Sequence, residues 1–265
     1  MKYLFITIGL LLSFNLLNAQ NYTPEMILVE GGTFQMGREG SAFLDETQVH
    51  SVTLSGFYLS KFEVTIEQFT NFCIQIGMNS PIGNGNNAAY NISWQEAVMY
   101  ANWLSKLNDL DPCYTIKRDK KTFSVVLNNT ANGYRLPTEA EWEFAARGGS
   151  SSKGYAYSGA DDPNDVSWNL ASGNTLHQVG QKLPNELGFY DMSGNVMEWC
   201  WDYYDPKYYF SSPKTNPLGP PNGSTRVCRG GNFKSNQETV RVTRRIYYDE
   251  DYRDEGQGLR LARNK

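Results

Sequence analysis

The chain has 265 residues, 40% of them apolar and 14% aromatic, a composition that excludes an intrinsically disordered protein. Lys and Arg number 24 against 28 Asp and Glu, a formal net charge of −4; a nucleic-acid binder would need a basic face to displace phosphate counterions. His50 and His177 are the only histidines, which removes HExxH and His-rich metal centres and leaves little room for a Ser-His-Asp hydrolase.

Met1-Lys2, the apolar stretch from Tyr3 to Leu17 and the Leu17-Asn18-Ala19 cleavage site read as a signal peptide over residues 1–19. The apolar run is too short for the ~20 residues of a membrane span. No cysteine stands at the cleavage point, which disfavours a lipoprotein. The expectation is an exported domain, periplasmic or secreted, over residues 20–265. Export places Cys73, Cys113, Cys200 and Cys228 where disulfides are expected, and the four permit three pairings among which the residues alone do not choose.

Met26 to Val29 and Gly31 to Gly37 read as two short strands joined by a glycine turn, and Val52 to Ser60 alternates as one further strand. Thr65 with Gln68, Ser93 with Glu96, and Thr138 with Glu141 each fit a capping box and predict three helix starts. Apolar faces follow them: Phe69, Phe72, Cys73 and Ile76 before a stop at Gly77; Val98, Ala101, Trp103, Leu104 and Leu107; and Trp142, Ala145 and Ala146 before Gly148-Gly149. Residues 149–184 and 205–224 read as long ordered loops, because Trp168, Tyr204, Tyr208 and Tyr209 punctuate them with groups that favour burial. No break in composition divides the chain, so a single domain is expected.

Four phrases carry the most information: Gly133-Tyr134-Arg135-Leu136-Pro137-Thr138-Glu139-Ala140-Glu141-Trp142-Glu143, Asn185-Glu186-Leu187-Gly188-Phe189-Tyr190-Asp191-Met192, Gly194-Asn195-Val196-Met197-Glu198-Trp199, and Arg226-Val227-Cys228-Arg229-Gly230-Gly231-Asn232-Phe233. With a late Gly258-Leu259-Arg260, and in this order, they resemble the formylglycine-generating enzyme family, also called the sulfatase-modifying factor family. The resemblance implies one α+β domain, distantly similar to the C-type lectin fold and low in regular secondary structure. It also implies structural calcium. Active members oxidise a substrate cysteine to formylglycine with oxygen and copper held by two cysteines.

Those two cysteines follow the Gly-Gly pair five residues apart, and this chain has Ser235 and Val240 in their places. Neither supplies a thiolate to a soft Cu(I) ion, so the copper chemistry is disfavoured. Cys200 and Cys228 precede the glycine turn and lack a partner at the required spacing. For calcium, the resemblance assigns the Asp191 side chain, the Gly194 and Val196 carbonyls and the Glu198 side chain, an oxygen set that suits a hard cation. A second site would use the Asn169 side chain and the Leu170 carbonyl. The competing reading of Asp191 and Glu198 is a pair of ordinary loop carboxylates satisfied by nearby amides.

The family position of the active cleft falls on Asn232, Ser235, Arg241 and Arg245. Arg241, Arg244 and Arg245 either form structural ion pairs with the mixed-charge run 249–255 or line an anion-binding cleft, and that run is either a solvated loop or a binding rim. Trp142, Trp199 and Trp201 read as core rather than as a sugar-stacking platform. Cys200 and Cys228 sit at the inner ends of motifs that the family packs together, and a disulfide between them is expected on that ground. The functional expectation is an exported, non-catalytic binding or accessory module that recognises a protein or glycan partner and binds neither nucleic acid nor copper. The alternative is a sulfatase-maturing oxidase.

Overall fold

The computed structural model describes residues 22–119 and 122–265, so the signal-peptide reading of residues 1–19 lies outside the described residues. Strands β1 (Met26–Val29), β2 (Gly32–Met36), β3 (His50–Leu54) and β4 (Phe57–Ser60) precede helices α1 (Ile66–Ile76) and α2 (Trp94–Leu107). Strands β5 (Tyr114–Arg118), β6 (Phe123–Leu127) and β7 (Tyr134–Arg135) lead to helix α3 (Glu139–Ala146) and the single turn α4 (Pro163–Val166). Then come β8 (Met197–Tyr203), β9 (Thr225–Arg229), β10 (Ile246–Asp249), β11 (Gln257–Gly258) and β12 (Ala262–Asn264). Long irregular segments separate α3 from β8 and β8 from β9, in keeping with the α+β class and sparse regular structure expected.

All three capping boxes form. The Gln68 amide donates to Thr65 Oγ1 at 3.3 Å while Gln68 Oε1 accepts from the Thr65 amide at 2.9 Å. Ser93 with Glu96 and Thr138 with Glu141 repeat the exchange. Each cap contributes about 1 kcal/mol by satisfying amides that the first helical turn leaves free. Gly77 ends α1 at φ 70°, the left-handed conformation that glycine adopts without strain.

The first strands differ from the sequence reading. The stretch expected as one strand from Val52 to Ser60 breaks at Ser55-Gly56 into β3 and β4. β1 pairs antiparallel with β4, and β2 with β3, so the first two strands do not form a hairpin together. The cause is a close crossing of backbone: a Cβ on Gly31 would lie 2.5 Å from the Leu54 carbonyl oxygen and 2.9 Å from the Gly56 amide nitrogen. Two glycines pass each other there, and each strand changes partner.

One four-stranded sheet has the order β1-β4-β12-β7 and another the order β10-β9-β8-β11. The second sheet lies between two apolar cores. Trp199 and Cys228 face a core built on α1 and α2, with Phe69, Phe72, Trp94 and Leu104; Cys200 and Val227 face a core built on α3, with Trp142 and Phe144. Trp142 and Trp199 are fully buried, as the core reading requires.

That alternation corrects the disulfide expectation. Cys228 stands opposite Trp199 in the antiparallel register of β8 and β9, so Cys200, the next residue along β8, points to the other face. The two cysteines are close in backbone, but their sulfurs enter different cores. All four cysteines are free and buried. Burial pushes their thiol pKa values up, Cys73 to about 11 and Cys200 and Cys228 well above the ordinary range, which leaves them unreactive. Among the described residues no helix is long and apolar enough to cross a membrane.

Candidate functional site

Gly230 and Gly231, at φ 87° and 66°, turn the chain out of β9. A Cβ on Gly231 would lie 2.9 Å from Val240 Cγ1, so the 239–240 turn packs directly on the glycine. Val240 is fully buried against Tyr157 and Val166. Ser235 Oγ accepts the Asn232 amide at 3.0 Å and donates to Asn232 Oδ1 at 3.1 Å, closing the Asn232–Ser235 turn. The positions where the resemblance expects thiols thus hold a core isopropyl group and a hydroxyl already bonded to its neighbour.

Asn232 and Ser235 open onto a cleft of about 510 Å³ whose other walls include Phe43, Arg244, Tyr248, Tyr252 and Asp254. Tyr248 and Tyr252 stack at 3.9 Å, nearly parallel. The Arg244 guanidinium lies 3.8 Å from the Phe43 ring centre and pairs with Asp45 at 3.4 Å. Arg241 and Arg245, expected at the cleft, are instead buried beneath it. Arg241 pairs with Glu46 at 2.7 Å and Glu238 at 3.0 Å, and Arg245 holds Glu139 at 2.7 and 2.9 Å. A buried guanidinium needs a carboxylate, and both found theirs outside the run 249–255. Arg244 takes the cleft position in their stead.

The run 249–255 is largely solvated and borders the cleft. Glu250 pairs with Arg226, Arg253 with Glu96 and Glu255 with Lys234, while Tyr252 and Asp254 face the cleft. Trp201 is half-buried and stacks on Tyr114 at 5.4 Å.

The second group of expected residues lies on the loop entering β8. Asp191 and Asn195 take left-handed φ values of 58° and 56°, and a Cβ on Gly194 would collide with the Trp168 carbonyl. Glu198 is buried and has its oxygens filled: Arg260 donates through Nε and Nη2 at 2.8–3.0 Å, and Trp142 Nε1 donates at 2.6 Å. Asp191 Oδ2 accepts the Gly180 amide at 2.6 Å, while its buried Oδ1 has no partner. A third carboxylate, not singled out in the sequence, completes the cluster. Glu63 accepts the Val196 amide at 3.0 Å and Asn195 Nδ2 at 2.7 Å. Burial, followed by the charges of Asp191 and Glu198, pushes Glu63 well above the ordinary carboxylate range. Burial also raises Asp191, to about 6.

Three buried carboxylates therefore face one guanidinium, Arg260, with one orphaned oxygen among them. Asp191 keeps one carboxylate oxygen open, whereas Glu198 is spent on Arg260 and Trp142, and among the described residues no three His, Cys, Asp or Glu side chains converge to hold a metal ion. Asn169 caps the turn Leu170–Ser172, its Oδ1 accepting the Ala171 amide at 2.8 Å, and the Leu170 amide donates to the Ser235 carbonyl at 2.9 Å. The Asn195 amide in turn donates to the Trp168 carbonyl, so the two loops lie side by side against the cleft. The late Gly258-Leu259-Arg260 phrase acquires its role here, since Arg260 also donates to the carbonyls of Ser60 and Tyr190.

A family model described as the sulfatase-modifying factor enzyme 1-like domain matches residues 14–265. The chain is similar to the chaperone protein LppX of Paenibacillus barcinonensis, 34% identical over 92% of this chain and 90% of that protein. It is 30% identical to the formylglycine-generating enzyme of Streptomyces coelicolor, over 80% of this chain and 79% of the relative. Among solved structures, Treponema denticola variable protein 1 superposes with a TM-score of 0.79 at 30% identity, over 91% of this chain and 95% of that one.

Proposed function

This chain belongs to the sulfatase-modifying factor family, and from that premise we propose that it is a non-catalytic member, exported to act as a binding or accessory module. The observation that carries the proposal is the pair Ser235 and Val240. A copper oxidase of this family needs two thiolates facing its cleft, whereas this chain offers one bonded hydroxyl and one buried valine there, and all four of its cysteines are buried. Membership of the fold does not restore the missing donors.

The cleft is the binding surface in this reading. Tyr248 and Tyr252 supply apolar area, and Asn232, Ser235 and Asp254 supply polar groups that orient a ligand. The name of the LppX relative supports a protein as the partner; a glycan remains the other outcome. Calcium is the structural ion of the proposal. Asp191 would hold it together with the Gly194 and Val196 carbonyls, and the ion would neutralise the excess of buried carboxylates over guanidinium beside the cleft.

The test is to incubate the purified protein with copper, oxygen and a sulfatase signature peptide, and to weigh the peptide. An unchanged mass is expected. Conversion of the peptide cysteine to an aldehyde would overturn the non-catalytic reading and restore the oxidase. In parallel, the protein and its Tyr252→Ala variant are applied to peptide and glycan arrays, where binding lost in the variant locates recognition in the cleft.

A further inference from the structure

A second cavity, of about 310 Å³, shares no lining residue with the Asn232 cleft. Its walls are Gly37 and Arg38 beyond the end of β2, Arg147 after α3, and Gly154, Tyr155, Ala156 and Asp161; Val242 and Thr243 form its buried floor. Two cations line it, and a third stands beside its wall. Arg38 is exposed and enters no ion pair among the described residues. Arg147 is fixed in place, with Nε on Glu143 at 2.9 Å and Nη2 on the Gly37 carbonyl at 2.7 Å, which leaves Nη1 without a protein partner. Lys153 lies 5.8 Å from the centre of the Tyr155 ring on the cavity wall.

One acid opposes them on the lining, Asp161, whose Oδ1 is engaged by the Ala156 amide at 3.0 Å. The ion pairs behind the cavity do not neutralise it. Arg147, Arg229 and Arg245 share two carboxylates, Glu139 and Glu143, and all of that network except Arg147 is almost wholly buried. Arg147 is the member of that network that reaches the cavity wall.

We propose that this cavity binds a small carboxylate, seated between Arg38 and Arg147. The planar guanidinium fork matches carboxylate oxygens, and a guanidinium already held by two bonds loses little freedom when it takes a third. The volume is at the lower limit of small-molecule sites, which restricts the occupant to a short organic acid or the carboxyl terminus of a peptide. The site is independent of the cleft, so its failure would leave the cleft reading untouched, and the reverse holds too.

Calorimetric titration of the full protein with succinate, with a tripeptide bearing a free carboxyl terminus, and with the amide of that tripeptide tests the proposal. Saturable binding of at least one free carboxylate is expected, with none for the amide. Arg38→Gln, whose side chain makes no bond that folding depends on, should weaken binding tenfold or more at unchanged melting temperature. Asp161→Asn, which keeps the acceptor for Ala156 and removes the opposing charge, should tighten it several-fold. Binding of succinate alone identifies a free acid as the occupant, and binding of the tripeptide alone identifies a chain terminus. Absence of saturable binding by both acids, equal binding of the amide, or indifference to Arg38→Gln overturns the site.

Discussion

Asp202 offers a measurement of what the buried charge network costs. It lies in β8, 2% exposed, and its Oδ2 accepts the Glu139 amide at 2.8 Å at the start of α3. Burial, and after it the Glu139 carboxylate, raises its pKa from 3.8 to about 8. A carboxyl group whose folded pKa exceeds its unfolded one keeps a proton that the unfolded chain releases. Stability is therefore highest below the unfolded value, falls as pH rises toward 8, and stays lowered above it. At ~1.4 kcal/mol for each tenfold change in proton affinity, the ionised folded state carries a penalty of at most about 6 kcal/mol. Asp202→Asn retains the acceptor for Glu139 and cannot ionise. Urea denaturation of both proteins should show equal stability near pH 4, and near pH 9 an advantage of about 2–5 kcal/mol for the variant. Glu63 and Asp191 are raised as well, so the difference between the two proteins, rather than the slope of either, isolates Asp202. Parallel pH profiles, or a variant less stable at pH 9, would refute the assignment of a buried neutral acid.

Three further outcomes are expected. Calcium chelation should lower the melting temperature of the native chain, and Asp191→Ala should abolish the response; superimposable melts with and without chelator would remove calcium from the account. All four thiols should react with Ellman-type reagent after unfolding without reductant and none before; two fewer reactive thiols would restore a disulfide. Arg260→Met should destabilise by about 3–5 kcal/mol, because it strands the Glu198 carboxylate in the core; recovery in the double variant with Glu198→Gln would tie that cost to the pair.

What could be read from the sequence was what is encoded locally. A capping box spans four residues, and its two hydrogen bonds form wherever the chain reaches helical geometry, so Thr65, Ser93 and Thr138 announced α1, α2 and α3 without reference to the rest of the fold. The pairing of β1 with β4 was not encoded that way. It depends on Gly31 meeting Gly56 across 25 positions, and alternation within a strand does not name its partner. The cysteines show the same limit at finer scale: neighbouring motifs bring Cys200 and Cys228 together, while the register of β8 and β9, invisible in either motif, turns their sulfurs apart.

Glu63 stands alone between Phe62 and Val64, more than 120 positions before the loop it serves, and the one signal in the sequence was an acid set among residues that favour burial. Arg241 and Arg245 gave the opposite difficulty. Their charge was legible and nearby acids were plentiful, but burial selected Glu46 and Glu139, the carboxylates that fold in beneath the cleft, over the exposed acids of 249–255. Those ion pairs are buried, and the side chains that line the cleft include Asn232, Ser235, Tyr248, Tyr252 and Asp254 instead. These are groups that hold and orient, and in the reading proposed above they form the recognition surface.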